Sequence, residues 1–246
     1  MDLGINGKRA AVAASSAGLG LGVARALAAA GCSVVTNGRD AERLHDATES
    51  VPGGIPIAGD VGTIEGATAF VDAATEALGG IDILVTNAGG PPAGTFATTP
   101  TEAYPAALEL NLLSAVAMCE GVVPAMRARG WGRIVAITSI SVRQPIAHLI
   151  LSNTARAGLT GFLKTLATEV AGDGVTVNSV QPGLHATDRL RSLGSDLDAL
   201  ARTVPTGTVG DPDDFGRVAA FLCSESARFI TGAAIPVDGG SYSGLL

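Results

Sequence analysis

The chain has few aromatic rings, few cysteines and few cations. Only 4% of its 246 residues are aromatic, with two Tyr and one Trp, so any chemistry that needs a phenol has few candidates. The three cysteines, Cys32, Cys119 and Cys223, stand far apart with no CxxC pair, which excludes a zinc knuckle or a dithiol redox site. Their odd number does not suit a disulfide framework, and small buried thiols in a reducing compartment are expected. Lys and Arg number 16 against 23 acids, a net charge of -7, so the surface repels phosphate backbones and no nucleic-acid partner is expected. Glycine is abundant at 33 residues but has no triplet period, which excludes a collagen-like chain. The uncharged run 10–24 follows Lys8 and Arg9 and imitates a secretion signal. It is shorter than the ~20 residues a membrane span needs and is broken by Gly18, Gly20 and Gly22. A fold element explains it better, no membrane segment is expected, and the protein is read as soluble and cytoplasmic.

What is present is apolar and regular. Hydrophobic residues make up 47% of the chain, enough for one large core. Short apolar runs at 10–14, 33–36, 55–58, 81–86, 133–138, 175–180 and 234–237 read as strands. Helical stretches at 23–30, 41–50, 64–78, 101–129, 153–171 and 213–224 lie between them. Apolar strands without clean alternation, each followed by a helix, indicate a parallel sheet covered on both faces. The expected fold is therefore α/β: a Rossmann-like, doubly wound parallel sheet in a single domain, 1–246. No linker, repeat or charge block divides it. The irregular stretch 183–212 is long for a loop in a compact domain and is expected to be a substrate lid. Asp211 before Pro212 starts a helix by capping. Leu159, Phe162, Leu163, Leu166 and Val170 form one buried stripe.

The turn Ala13-Ala14-Ser15-Ser16-Ala17-Gly18-Leu19-Gly20 joins the first strand to the first helix. Glycines let backbone N–H groups approach a diphosphate, and the helix N-terminus favours its charge. Ser15, Ser16, Gly18, Leu19 and Gly20 are the candidate phosphate-binding residues, although such a turn also serves close helix–strand packing. After the second strand comes Asn37-Gly38-Arg39, with no acid to take a ribose 2′-hydroxyl. Arg39 suits a 2′-phosphate, so NADP(H) is expected over NAD(H). Asp60 and Val61, after the third strand, suit the adenine edge. Asn87, Ala88 and Gly89, after the fourth, bring backbone close to the cofactor.

Together with Asn111, Gly132-Arg133-Ile134, Pro182-Gly183, Thr187 and Asp238-Gly239-Gly240, these pieces resemble the short-chain dehydrogenase/reductase family, especially its β-ketoacyl carrier-protein reductases. The resemblance covers almost the whole chain. It implies that Pro182, Gly183 and Thr187 border the nicotinamide and diphosphate. It also implies a catalytic Ser, a Tyr thirteen residues later, a Lys four beyond that, and an Asn on the preceding helix. Asn111 and Ser139 fit this pattern, but the next two positions hold Ser152 and Arg156. Ala14 stands where the family has the first glycine of the turn. The chain is similar to a divergent branch with Gly89-Gly90-Pro91-Pro92, Gln144-Pro145 and Leu151-Ser152-Asn153, lacking the catalytic Tyr and Lys.

A serine hydroxyl is far less acidic than a phenol, and Arg keeps its proton through turnover. Arg156 can still anchor ribose hydroxyls or stabilise an oxyanion. Asn111, Ser139, Ser152 and Arg156 are thus the candidate catalytic set. His148, His185, Tyr104 and Tyr242 are substitute proton donors for which surface or packing roles are the simpler reading. Three functions fit. The first is an NADP(H)-dependent oxidoreductase acting on a small carbonyl, enone or imine with altered proton delivery. The second is an inactive NADP(H)-binding sensor or partner subunit. The third is a non-redox enzyme on this scaffold; halohydrin dehalogenases also carry Arg in place of the Lys, but keep the Tyr and have lost the dinucleotide turn. The expected partner is a small-molecule substrate. The resemblance implies a homotetramer or homodimer through the helices at 101–129 and 153–171, where Ala155 and Gly158 permit close approach.

Overall fold

A computed structural model describes residues 2–188, 190 and 196–245. Seven parallel strands form one sheet in the order β3-β2-β1-β4-β5-β6-β7. They are β1 (Arg9–Val12), β2 (Ser33–Gly38), β3 (Ile55–Ala58), β4 (Ile83–Thr86), β5 (Gly132–Ile137), β6 (Val175–Pro182) and β7 (Ala234–Val237). Successive strand residues point to opposite faces. Ala11, Leu84, Ile134 and Ala136 enter one core, with α3 (Ile64–Leu78), α5 (Ser114–Arg129) and α6 (Ile150–Val170). Ala10, Val12, Ile83, Val85, Val135 and Ile137 enter the other, with α1 (Gly18–Ala29) and α8 (Pro212–Leu222). Two buried faces favour apolar residues at successive positions, which is why the central strands β1, β4 and β5 read as apolar runs, whereas β3 at the sheet edge is largely exposed. The single-domain, doubly wound fold expected from the sequence is the one observed.

The strand order reverses between β1 and β4, so the turns after these two strands diverge and leave a crevice at their C-terminal ends. On one face α1 and α8 meet backbone to backbone. A Cβ on Gly22 would lie 2.1 Å from the Pro212 carbonyl oxygen, and one on Gly216 would lie 2.1 Å from that of Gly22. This contact fixes α1, and with it the turn at its N-terminus.

Boundaries shift in two places of consequence. The expected helix at 101–129 is a composite: a 3₁₀ turn (Thr101–Ala103), α4 (Tyr104–Leu108), a π-helical turn (Glu109–Leu113) and α5. The run is long and apolar enough to cross a membrane by length and composition. Here its α5 part packs on α3 and the sheet, burying Met118, Val122 and Met126. Helix α6 begins at Ile150 rather than 153, which puts Ser152 in its first turn. Leu159, Leu163 and Val170 are buried as expected, while Phe162 and Leu166 are partly so. Ala155 is also fully buried within the protomer, so it does not present a small surface to a partner as expected, whereas Gly158 is exposed.

The stretch 183–212 is closed at its base. Ala186 N donates to Gly210 O at 2.9 Å and Gly210 N to Leu184 O at 2.9 Å. It carries α7 (Leu197–Ala201), capped by Asp196. Within the expected lid, residues 189 and 191–195 lie outside the described residues. Asp211 caps α8 through the Asp213 N–H, with Pro212 in the first turn, as its sequence indicated.

Candidate active site

The turn after β1 is built by three asparagine- and serine-based clamps. Ala14 N donates to Asn37 Oδ1 at 3.1 Å, and Asn87 Nδ2 donates to Ala14 O at 3.1 Å. Asn37 Nδ2 also reaches Ile57 O at 3.1 Å and Gly59 O at 3.2 Å, tying the ends of β1, β2 and β3 together. These bonds hold Ala14 at φ 45°, in the left-handed region. Among the described residues it is the single non-glycine residue with positive φ, and its methyl crowds the backbone there.

Ser15 corrects one expectation. It is fully buried; its hydroxyl donates to Val12 O at 2.7 Å and accepts from Asn37 N at 2.9 Å. That hydroxyl is a strand clamp and is not available to a phosphate. Gly20 is likewise a packing residue, since a Cβ there would lie 2.5 Å from Ala14 O. Val61 belongs to the core at 4% exposure, so only its backbone can border an adenine.

Other parts of the turn do face open space. Gly18 and Leu19 start α1 and line a cleft of about 660 Å³ at the C-terminal ends of the strands. Among the described residues the α1 N-terminus has no side-chain cap, and it has no acid in its first turn, so its positive end is uncompensated by them. Ser16 lies beside it in an adjoining groove. A Cβ on Gly89 would meet nothing within 4 Å, and Asn87, Ala88 and Gly89 border the cleft with Pro182, Gly183 and Thr187. Arg39 is 78% exposed beyond β2 and leans towards Asp60, with 3.9 Å between Nη1 and Oδ2. An open helix terminus, backbone-lined walls and an exposed guanidinium past β2 fit a phosphorylated dinucleotide.

At the other end of the cleft stand Ser139, Ser152 and Arg156. Ser139 Oγ accepts from Ser141 N at 3.1 Å at the end of β5. Arg156, 9% exposed, donates from Nε to Ser152 Oγ at 3.3 Å and from Nη1 to Ile137 O at 3.0 Å and Thr138 O at 3.3 Å. A permanent cation is thereby fixed beside a hydroxyl at the cleft wall. Asn111 sits behind this wall in the π-helical turn and donates to Gly89 O at 2.7 Å. Its Oδ1 and Thr86 Oγ1 are buried without hydrogen-bond partners among the described residues. Both residues line a void of about 10 Å³ that Arg156 also borders, close to the volume of one water. The π turn aims Asn111 inward, a use common to such bulges.

The substitute donors separate. His148 is exposed at the rim, and its contribution is a carbonyl that accepts from Gly94 N at 2.8 Å. His185 lines the cleft but is 6% exposed, with its ring edge-on to Phe215 at 5.2 Å. Burial pushes its pKa below the ordinary value of 6.5, against the opposing pull of the Gly183 carbonyl and Asp211. Neither Tyr104 nor Tyr242 lines the cleft. Sequence reasoning missed Arg43 and Leu149 on its wall, and reached Leu184, Asp188 and Leu190 only as part of the expected lid 183–212. Arg43 carried a signal: it is a cation in the first turn of α2 (Ala41–Glu49), where the helix dipole disfavours positive charge.

Comparison with known proteins agrees with this geometry. The family model described as "Enoyl-(Acyl carrier protein) reductase" matches residues 13–242. "Dehydrogenase/reductase SDR family member 4" of Bos taurus is 34% identical over 98% of this chain and 89% of its own length. The "3-oxoacyl-[acyl-carrier-protein] reductase FabG" of Vibrio cholerae is 34% identical over 98% of this chain and 99% of its own. A crystal structure of L-sorbose reductase from Gluconobacter frateurii, complexed with NADPH and L-sorbose, superposes with a TM-score of 0.92 at 36% identity, covering 100% of both chains. The chain belongs to the short-chain dehydrogenase/reductase family, a family of oxidoreductases.

Proposed function

We propose that this protein is an NADP(H)-dependent oxidoreductase that transfers hydride to or from a small carbonyl, enone or imine. In this reading Ser152 and Arg156 occupy the places of the family's Tyr and Lys. The observation that carries it is the buried Arg156 guanidinium, bonded to Ser152 Oγ at 3.3 Å on the wall of a dinucleotide-sized cleft. Family membership and the NADPH named with the sorbose reductase support the coenzyme.

The nicotinamide, when bound, supplies or accepts the hydride. The chain does the rest. The open N-terminus of α1 at Gly18 and Leu19 holds the diphosphate, and Arg39 takes the 2′-phosphate in place of Asp60. Asn87 to Gly89 and Pro182 to Thr187 hold the coenzyme's ring end by backbone contact. Ser139 and Ser152 offer hydroxyls to a substrate oxygen or nitrogen, and Arg156 supplies fixed positive charge where negative charge develops. Ser152 is a poor acid, so a substrate already activated towards hydride, an imine or a conjugated enone, needs least from the protein. The segment 183–212 acts as the lid. NADPH oxidation with a panel of ketones, enones and imines tests this. Turnover is expected with an enone or imine ahead of simple ketones. Tight NADPH binding with no transfer to any of them overturns it.

One observation favours a second reading, a coenzyme-binding protein without turnover. Arg156 Nη1 is bonded to the main-chain carbonyls of Ile137 and Thr138, a structural use of the guanidinium. That reading expects binding without turnover, and Ser152→Ala leaves its role intact.

A further inference from the structure

The cleft and the groove beside it are separated by a thin partition. The main cleft of about 660 Å³ and the groove of about 460 Å³ share five lining residues: Ala17, Gly18, Arg43, Thr187 and Asp188. Two contacts make the partition. A Cβ on Gly18 would lie 3.2 Å from Thr187 Cγ2, so the start of the lid lies against the turn. Arg43 Nη2 and Asp188 Oδ2 are 3.0 Å apart, an ion pair that links α2 to the lid across the mouth. Both side chains are more than half exposed, so this pair contributes little stability and opens readily.

Arg43 is also badly placed for its own helix. Asp40 caps α2 by accepting from Arg43 N at 3.0 Å, which puts a guanidinium in the first turn, next to the positive end of the dipole. A residue that opposes its local preference marks a functional position more often than a structural one. Among the described residues, Arg43 is the cation that lines the turn end of the cleft, with Arg156 beside Ser152 at the other end.

We propose that Arg43 binds the diphosphate of the coenzyme, and that it exchanges Asp188 for that diphosphate when the coenzyme enters. The proposal rests on the coenzyme reading above and adds a residue to it. A guanidinium pairs with phosphate oxygens through two parallel N–H donors, a stronger contact than an exposed carboxylate offers. The exchange also parts Asp188 from Arg43, so coenzyme entry removes this tie between the lid and α2. Arg43 thus acts on the part of the coenzyme common to NADPH and NADH, whereas Arg39 acts on the 2′-phosphate.

Titrating the full chain with NADPH and with NADH, by calorimetry or coenzyme fluorescence, tests this. Arg43→Ala is expected to raise both Kd values by the same factor, tenfold or more, with Arg43→Lys recovering part of the loss. Arg39→Ala is expected to raise the Kd for NADPH alone. Asp188→Asn is expected to tighten both coenzymes in the parent protein and to have little effect in the Arg43→Ala protein. An unchanged Kd in Arg43→Ala overturns the proposal, and a loss confined to NADPH overturns the diphosphate assignment. Equal effects of Asp188→Asn in both backgrounds remove the exchange. If the folded parent protein binds neither coenzyme, the coenzyme reading itself falls, a different result from any of these. Exposed side chains such as these leave the thermal melt unchanged, which separates binding effects from folding.

Discussion

Arg156 donates from Nε to Ser152 Oγ across 3.3 Å, one helical turn apart on α6, while its Nη1 holds the Ile137 carbonyl at 3.0 Å. The two residues therefore form one unit, locked to the end of β5. They stand 13 and 17 residues after Ser139, the spacing that the family resemblance implies for a Tyr and a Lys.

On the proposed reading, placing Tyr and Lys at these two positions supplies an acid to a site that already has Ser139 and Asn111. The double variant Ser152→Tyr with Arg156→Lys is expected to raise kcat/KM for NADPH-dependent reduction of a simple ketone by at least tenfold. Positioned general acids contribute about 10²–10⁴-fold, so this is a conservative expectation. Ser152→Tyr alone is expected to gain less, because the phenol then lacks the lysine. A double variant that is folded, binds NADPH and is no faster than its parent would falsify the assignment of these positions.

Ala14 at φ 45° is a strained position that the Asn37 and Asn87 bonds hold in place. Ala14→Gly relieves about 1–2 kcal/mol of left-handed strain and gives back roughly 0.5–1 kcal/mol in unfolded-chain entropy. A net gain of about 1 kcal/mol or less is expected, seen as a higher urea midpoint with unchanged m. A lower midpoint contradicts the strain argument.

The α1–α8 crossing admits no methyl group. Gly22→Ala puts a Cβ 2.1 Å from the Pro212 carbonyl oxygen, so both helices must move. Overpacking of this kind costs about 1–3 kcal/mol, and the phosphate turn shifts with α1. Gly161→Ala in α6 is the control: a Cβ there meets nothing within 4 Å. It is expected to stabilise by about 1 kcal/mol through helix propensity. Urea unfolding of both variants measures the contrast, and equal destabilisation would count against the close approach.

The sheet was legible because buried parallel strands leave unbroken apolar runs, and β3, α3 and β7 have the bounds their sequences indicate. The cleft was legible at Gly18, Gly89 and Ser139, which line it as their motifs placed them. The Ser15 hydroxyl was misread because a motif gives position along the chain but not which way a side chain points. Ser15 turned inward to bond Val12 and Asn37. Asn111 was visible as a residue, but the π turn that aims it has no sequence mark. Arg43 and Asp188 meet across 145 positions of chain, a contact that no local pattern contains.

The His185 ring is buried against Phe215 and would clash with a Cβ on Gly210, 2.8 Å away. Burial holds its pKa below 6.5, while the Gly183 carbonyl and Asp211 oppose that shift. Below pH ~6.5 the unfolded chain binds a proton at this residue that the folded protein resists. The unfolded state therefore binds more protons in that window, and stability falls as pH drops from about 6.5 through the folded value. Above pH ~6.5 both states are neutral here and the loss disappears. His185→Gln, which cannot charge, is expected to lose less stability than its parent between pH 7 and pH 5, read as urea midpoints. In the same window an NMR titration is expected to show the His185 ring protonating below the ordinary value of 6.5 as acid is added. A His185 ring that charges at or above pH 6.5 would show that water reaches it, and that the cleft wall it forms is open rather than packed.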